Sequence, residues 1–353
     1  MTCTRILNTY KRLLIREALL LALIGLCQST SAQSQWVSLD RVCKSSLRGL
    51  SVVSDNVVWA SGSNGTWLRT VDGGERWTSG IIPGTAKLDF RDIHALDSLR
   101  AWVISAGDTC KIFHTTDGGI SWTLQYTNFE KGIFFDGFSF WDEKTALAYS
   151  DPINGKFYII KTTDGNQWTP IDAANIPPAI DGEAGFAASG TGICVQSDSV
   201  VWIATGGGPR SRVLRSLDRG HSWSVHDTPL QSAEGTGIFS MVFTSTQKGV
   251  IVGGSYLDST NTESNCAITD DAGETWVLIT KNQPRGYRSC VAVYRDGSVL
   301  VTVGRTGSEL SDDHGQTWIP IGTEGYFTCA FSEHYVWAVG RNGKIGKLIL
   351  ETK

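Results

Sequence analysis

Several absences narrow what this chain can do. It has no large charge excess: 353 residues carry a net charge of −4, which gives no basic footprint for a nucleic-acid partner. Past residue 32, no segment approaches the roughly 18 apolar residues a membrane-spanning helix needs. The mature chain is therefore expected to be soluble, with no stable membrane anchor. There is no Walker loop, no His-Glu-x-x-His and no Cys-x-x-Cys or Cys/His cluster, so no metal is expected. No Gly-x-Gly-x-x-Gly follows a strand and opens a helix, and Gly190-Thr-Gly192 and Gly235-Thr-Gly237 lie in β context. The six histidines are scattered, and Ser189 has none at a triad spacing. The expectation is a monomer without a cofactor.

The N-terminus reads differently from the rest. Arg5, Lys11, Arg12 and Arg16 precede an apolar stretch from Ala18 to Cys27, and Thr30-Ser31-Ala32 offers a small-residue cleavage site before Gln33. Residues 1–32 read as a secretory signal peptide, too short to anchor the chain. Leu26 stands before Cys27 where a lipoprotein site wants a small residue, so simple export is the reading: periplasmic, secreted or cell-surface. Export permits disulfides among Cys43, Cys110, Cys194, Cys266, Cys290 and Cys329. Cys290 and Cys329 hold similar positions in consecutive repeats and are a candidate pair, although most of the six read better as small buried hydrophobes.

Glycine (39) and tryptophan (13) are abundant, as in folds of short strands and tight turns. Both concentrate in six copies of one motif, Ser/Thr-x-Asp-x-Gly-x-x-Trp. Its aspartates are Asp72, Asp117, Asp164, Asp218, Asp271 and Asp313, spaced 45, 47, 54, 53 and 42 residues apart. The third copy has lost one residue before Trp168 and carries Asn166 where the others have glycine. A period of this size marks a repeat architecture. Ser or Thr ends one strand, Asp accepts backbone N–H groups in the turn, Gly supplies a positive φ, and Trp starts the next strand with a large apolar face.

Before each motif lie two short strands, such as Val57-Val-Trp59-Ala-Ser-Gly62 and Val200-Val-Trp202-Ile-Ala-Thr-Gly206. Each motif thus closes a four-stranded unit, giving six. Tyr326 to Leu350 supplies three more strands and stops, while Gln35-Trp36-Val37-Ser38-Leu39 is a lone strand at the other end. Joining these leaves no unpaired seam. The expected fold is all-β: residues 33–353 as one seven-bladed β-propeller of four-stranded blades, the last closed by the N-terminal strand.

In such a blade the 1–2 and 3–4 turns share one face, and the 2–3 and 4–1 connections share the other. The six aspartate turns are 3–4 turns and read as structural. The opposite face carries the candidates for binding. Arg48, Arg91 and Arg288 start the inner strands of blades 1, 2 and 6. Arginines converging on a concave mouth suit a carboxylate or phosphate. Asp136, Asp151, Glu183 and Glu234 share this face, as do Asp181, Arg210, Arg305 and Arg341. The bland alternative is that arginines and carboxylates pair with each other to tie the blades together. Asp181-Gly-Glu-Ala-Gly-Phe-Ala-Ala-Ser189-Gly is small and polar where an inner strand should be apolar, which allows a close approach of backbone or ligand. Asn64-Gly-Thr66 is a formal glycosylation sequon, but Asn-Gly is first a hairpin turn.

The repeated motif is similar to the Asp-box (BNR repeat) of sialidases, sortilin-type receptor domains and the photosystem II stability/assembly factor-like family. From Trp36 to Leu350 the chain resembles the last of these and its relatives in non-photosynthetic bacteria, through the Thr-x-Asp-Gly-Gly turns, Arg48-Gly-Leu-Ser-Val-Val, Trp59-Ala-Ser-Gly and Trp337-Ala-Val-Gly340. That resemblance implies an exported assembly factor that binds a protein or peptide without catalysis. The sialidase resemblance implies arginines on a substrate carboxylate, but seven blades stand where sialidases have six, and neither Tyr287 nor Tyr326 has an assignable Glu partner. A glycoside hydrolase at the same mouth is the second reading. It would need two carboxylates about 5–10 Å apart among Asp136, Asp151, Glu183 and Glu234. An oxidoreductase is the third, and would require a bound cofactor.

Overall fold

The computed structural model describes residues 36–349, and the signal segment read at 1–32 lies outside them. Among the described residues, 28 strands form seven antiparallel four-stranded sheets. Their inner strands are Leu47–Val52, Asp89–Ala95, Phe135–Phe140, Ile193–Gln196, Thr236–Phe243, Cys290–Val293 and Thr328–Phe331. Each touches the inner strands on either side, and the last touches the first, so the sheets are the blades of a closed ring. Among the described residues, two 3-10 turns, Ala173–Asn175 and Arg341–Gly343, are the helical elements, and no helix is long and apolar enough to cross a membrane.

Blade 7 is assembled from both ends of the chain. Trp36–Leu39 pairs antiparallel with Ile345–Ile349, Trp36 opposite Leu348 and Leu39 opposite Ile345. Trp36 donates its indole N–H to Ser308 Oγ in blade 6 at 2.8 Å and lies 4.9 Å from the Tyr326 ring. The seam is thus closed by a tryptophan as well as by backbone pairing.

The aspartate turns are alike in detail. In blade 1, Thr70 Oγ1 donates to Asp72 Oδ1 (2.8 Å) and accepts from Gly74 N–H (2.9 Å), while Arg76 N–H donates to Asp72 Oδ1 (2.9 Å). Gly74, Gly119, Gly220, Gly273 and Gly315 all have φ between 81° and 91°, the left-handed conformation the turn demands. In the shortened third turn the glycine role moves forward one place. Gly165, at φ 74°, donates to Thr162 Oγ1 (3.0 Å), and Asn166 and Gln167 N–H both reach Asp164 Oδ1 (2.8 Å). Asn64 and Gly65 also both have positive φ, as a two-residue hairpin turn requires.

The tryptophan that follows each turn packs on the preceding blade. Trp122 meets Trp59 and Trp67, Trp168 joins the cluster of Trp102, and Trp276 joins that of Trp202. Trp318 sits with Val250, Trp223 with Leu147, and Trp77 lies edge-on to Trp337 across the seam. The apolar cores therefore lie between blades, and each blade is held by its neighbour. The six cysteines among the described residues are free thiols. Cys290 and Cys329 approach to 3.9 Å on adjacent inner strands without a bond, and they, Cys110 and Cys266 are buried in the sheets.

Candidate functional site

Four inner strands carry an extra residue near the channel mouth. Pairing slips by one place between Leu47 and Gly49, Phe90 and Asp92, Phe135 and Gly137, and Ile238 and Ser240, so that Arg48, Arg91, Asp136 and Phe239 are bulged out. A bulge re-aims the side chain it carries. The sequence marks each one: Leu47 and Leu50, Phe90 and Ile93, Phe135 and Phe138, and Ile238 and Met241 stand three apart where a regular strand would space its core residues by two.

Arg48, Arg91 and Phe239 line a cavity of about 600 Å³ with Phe134, Phe186, Tyr256, Tyr287, Arg305 and Glu234. A second hollow of about 480 Å³ adjoins it through Arg48 and Arg305 and adds Phe327, Tyr326 and Arg341. Both open on the face of the 2–3 and 4–1 connections.

The floor of the main cavity is the small-residue stretch before blade 4. It bonds to all six other blades. Ala188 O accepts from Arg48 Nη1 and Ala187 O from Arg91 Nη1, both at 3.2 Å. Gly185 N–H donates to Asp151 Oδ1 (2.8 Å), and Ser189 Oγ donates to Ser289 O (2.7 Å). Thr191 Oγ1 lies 2.6 Å from Ser240 Oγ, and Thr328 Oγ1 donates to Ser189 O at 3.5 Å. This is a plug across the channel, and its composition follows from the fit. A Cβ on Gly185 would come within 2.2 Å of Asp136 Oδ2, and one on Gly192 within 2.3 Å of Tyr149 Oη.

Positive charge dominates the mouth. Arg48 has no carboxylate partner among the described residues: it bonds the Ala188 carbonyl and stacks 4.2 Å over Phe327. Burial and the nearby Arg91 both pull its guanidinium below the usual value, though an arginine stays charged. Arg91 shares itself between Asp89 (2.8 Å) and the Ala187 carbonyl. Arg305 is exposed, donates to Tyr256 O (3.1 Å) and lies over that ring. Among the side chains lining both hollows, Glu234 is the one carboxylate.

Two candidates are placed elsewhere. Arg288 does not reach the mouth. It is fully buried and saturated, with Glu309 on Nε (2.5 Å) and Nη2, the Tyr287 and Arg285 carbonyls (2.8 Å each) and Thr306 Oγ1 (2.9 Å). Its strand carries no bulge to turn it outward. Glu183 is likewise consumed: Arg212 grips both its oxygens, Thr205 Oγ1 donates to it (2.6 Å) and Ile180 N–H donates to it (3.0 Å). Both fulfil the structural alternative.

Asp136 and Asp151 lie against the plug from blade 3. Asp136 is 1% exposed, and neither of its oxygens has a hydrogen-bond partner of good geometry. Burial, then the neighbouring Asp151, push its carboxyl well above the usual range. Burial also raises Asp151 to about 6, against the pull of the Gly185 N–H. Of the four carboxylates, Glu234 lines the cavity, Glu183 is paired with Arg212 and Asp136 is covered.

No protein-family model matches this chain, and a comparison with curated proteins finds no match. Solved structures do match in fold. A structure of YCF48 bound to a D1 peptide has 16% sequence identity and a TM-score of 0.64, over 90% of this chain and 97% of that one. YCF48 from Cyanidioschyzon merolae has 17% identity and a TM-score of 0.61, over 90% and 99%. At these identities the chain shares with them the architecture of the ring.

Proposed function

We propose that this chain is an exported, non-catalytic, assembly-factor-like propeller that holds an acidic segment of a partner protein at the arginine-bearing mouth. The observation that carries the reading is the charge imbalance there. Arg48, Arg91, Arg305 and Arg341 gather where Glu234 is the one lining carboxylate and Asp89 pairs with Arg91, and Arg48 hydrogen-bonds only a backbone carbonyl among the described residues. Guanidiniums so placed keep donors for a carboxylate. The rings of Phe186, Phe239, Tyr256 and Tyr287 beside them offer an apolar wall to an accompanying side chain. A ring of the same architecture is known with a peptide bound, which supports the mode of use.

In this reading the six turns are Asp-boxes whose work is to lock strands 3 and 4, and export rests on the N-terminal 32 residues. The test is fluorescence anisotropy with labelled acidic peptides containing one aromatic residue, against matched peptides with Asn and Gln in place of Asp and Glu. The acidic set binds, and Arg48→Gln with Arg305→Gln weakens it about ten-fold or more. Equal binding of both sets, or no loss in the double variant, contradicts the reading.

A further inference from the structure

The plug is held by arginines and by carboxyl groups that titrate. Arg91 and Arg48 take the carbonyls of Ala187 and Ala188. From blade 3, Asp151 takes the Gly185 N–H, and Asp136 sits directly against Gly185 with only the Ala187 backbone N–H close to its carboxyl. Gly185, Ala187 and Ala188 are themselves the cavity floor. A buried carboxyl with so little compensation is costly and calls for a reason.

We propose that the protonation state of the Asp136/Asp151 pair sets the anion affinity of the mouth, so that binding tightens as the pair becomes fully protonated. This regulation rests on the reading of the mouth as an anion-accepting site. With Asp151 ionised, its carboxylate grips the Gly185 amide through a charge-assisted bond and draws down the positive potential above the floor. With Asp151 protonated, that bond weakens and the arginines face the ligand uncompensated. By reciprocity, a bound anion raises the affinity of the pair for a proton.

The surroundings favour Asp151 as the responding group. No histidine lines either hollow. The charge of Asp151 acts on Asp136 of the adjacent strand, on Tyr149 of its own strand and on Cys110 of blade 2, which also feels Asp108. Burial drives both Cys110, to about 12, and Tyr149 upward, so neither ionises in the neutral range. Arg91 acts on Asp136 while bonded to Asp89, and Glu183 on the plug is held by Arg212. Farther along the plug, Asp92 lies against Gly190 and is pushed by burial to about 8. Cys290 lies against Thr191; burial raises it, but hydrogen bonds from Cys329, Thr328 and Thr191 bring it to about 6. Neither Asp92 nor Cys290 lines a hollow of the mouth.

Sulfate is the probe, because its charge is constant from pH 5.0 to 7.5. Its dissociation constant is read from the Arg48 and Arg91 side-chain N–H resonances at fixed ionic strength, in the wild type and in Asp151→Asn. The wild type should bind about three- to ten-fold more tightly at pH 5.0 than at pH 7.5. Asp151→Asn should lose that dependence and bind at pH 7.5 as the wild type does at pH 5.0. If Asp151→Asn does not fold, Asp151→Ser keeps an acceptor for Gly185 without the charge. Equal wild-type affinities at the two pH values, a dependence that survives the substitution, or no sulfate response at these arginines overturns the proposal. Sulfate is not a peptide, so failure here leaves peptide binding standing, and absence of peptide binding leaves this test intact.

Discussion

The two faces of the ring use aspartate in opposite ways. On the turn face, six aspartates repeat one self-satisfied network. In Asp218 burial works against the charge, but hydrogen bonds from Ser222 and Ser216 hold it near 2. On the mouth face, Asp136 is buried with no good partner, and burial holds it well above the usual range. The first kind of aspartate stabilises the ring wherever it is charged. The second costs stability under the same conditions. Repetition marks the scaffold here, and the candidate site lies where the repeat breaks, in four bulged strands and a plug that occurs once.

The largest expected effect tests whether the start-of-strand arginines differ as placed. Glu309→Ala strands the buried Arg288 and should cost about 3–5 kcal/mol in urea unfolding. Arg48→Gln should change stability by less than about 1 kcal/mol and act on binding instead. Next, Trp36→Ala removes the closing tryptophan of blade 7 and should cost about 3 kcal/mol. Asp218→Ala should cost about 1–2 kcal/mol and leave anion binding at the mouth unchanged. The turn aspartates also give the acid limb of stability. Their folded values are depressed, to about 2 for Asp218 and Asp271, so their contribution is full above roughly pH 4 and fades as the pH falls through 2.

Asp136→Asn gives the opposite sign. Its folded value is raised, so the cost of keeping the carboxyl buried grows as pH rises above roughly 4, the unfolded value. The amide should therefore raise the melting temperature at pH 7.5, with the gain shrinking towards pH 4. A variant less stable than wild type at pH 7.5 would break the contrast between the faces. Smallest of all, Glu234→Gln should leave melting unchanged and tighten acidic peptides about three-fold.

The ring was legible because it repeats. Six turns, the blade spacing and the unmatched strands at the two ends were enough to place the closure at Trp36–Leu39. The mouth was legible in part. Arg48 and Arg91 stand where expected, while Arg288 occupies the same point of its blade and is buried. The distinguishing signal, core residues spaced by three, was present in the sequence and marks the bulge. The pairing of Arg288 with Glu309 and of Glu183 with Arg212 was not legible. Each joins residues 21 and 29 positions apart, and no local pattern specifies which cation a buried carboxylate will meet. The plug was visible only as an odd run of small residues. That it crosses the channel follows from contacts with six blades, which no single stretch of chain encodes.

The most direct measurement of the central claim is a backbone and arginine side-chain NMR shift map of the protein titrated with an acidic, aromatic-containing peptide. The account predicts shifts concentrated at Arg48, Arg91, Arg305 and the Gly185–Ala188 floor, with the six aspartate turns unmoved. Shifts centred on the turn face, around Asp72, Asp117 and their counterparts, would contradict it.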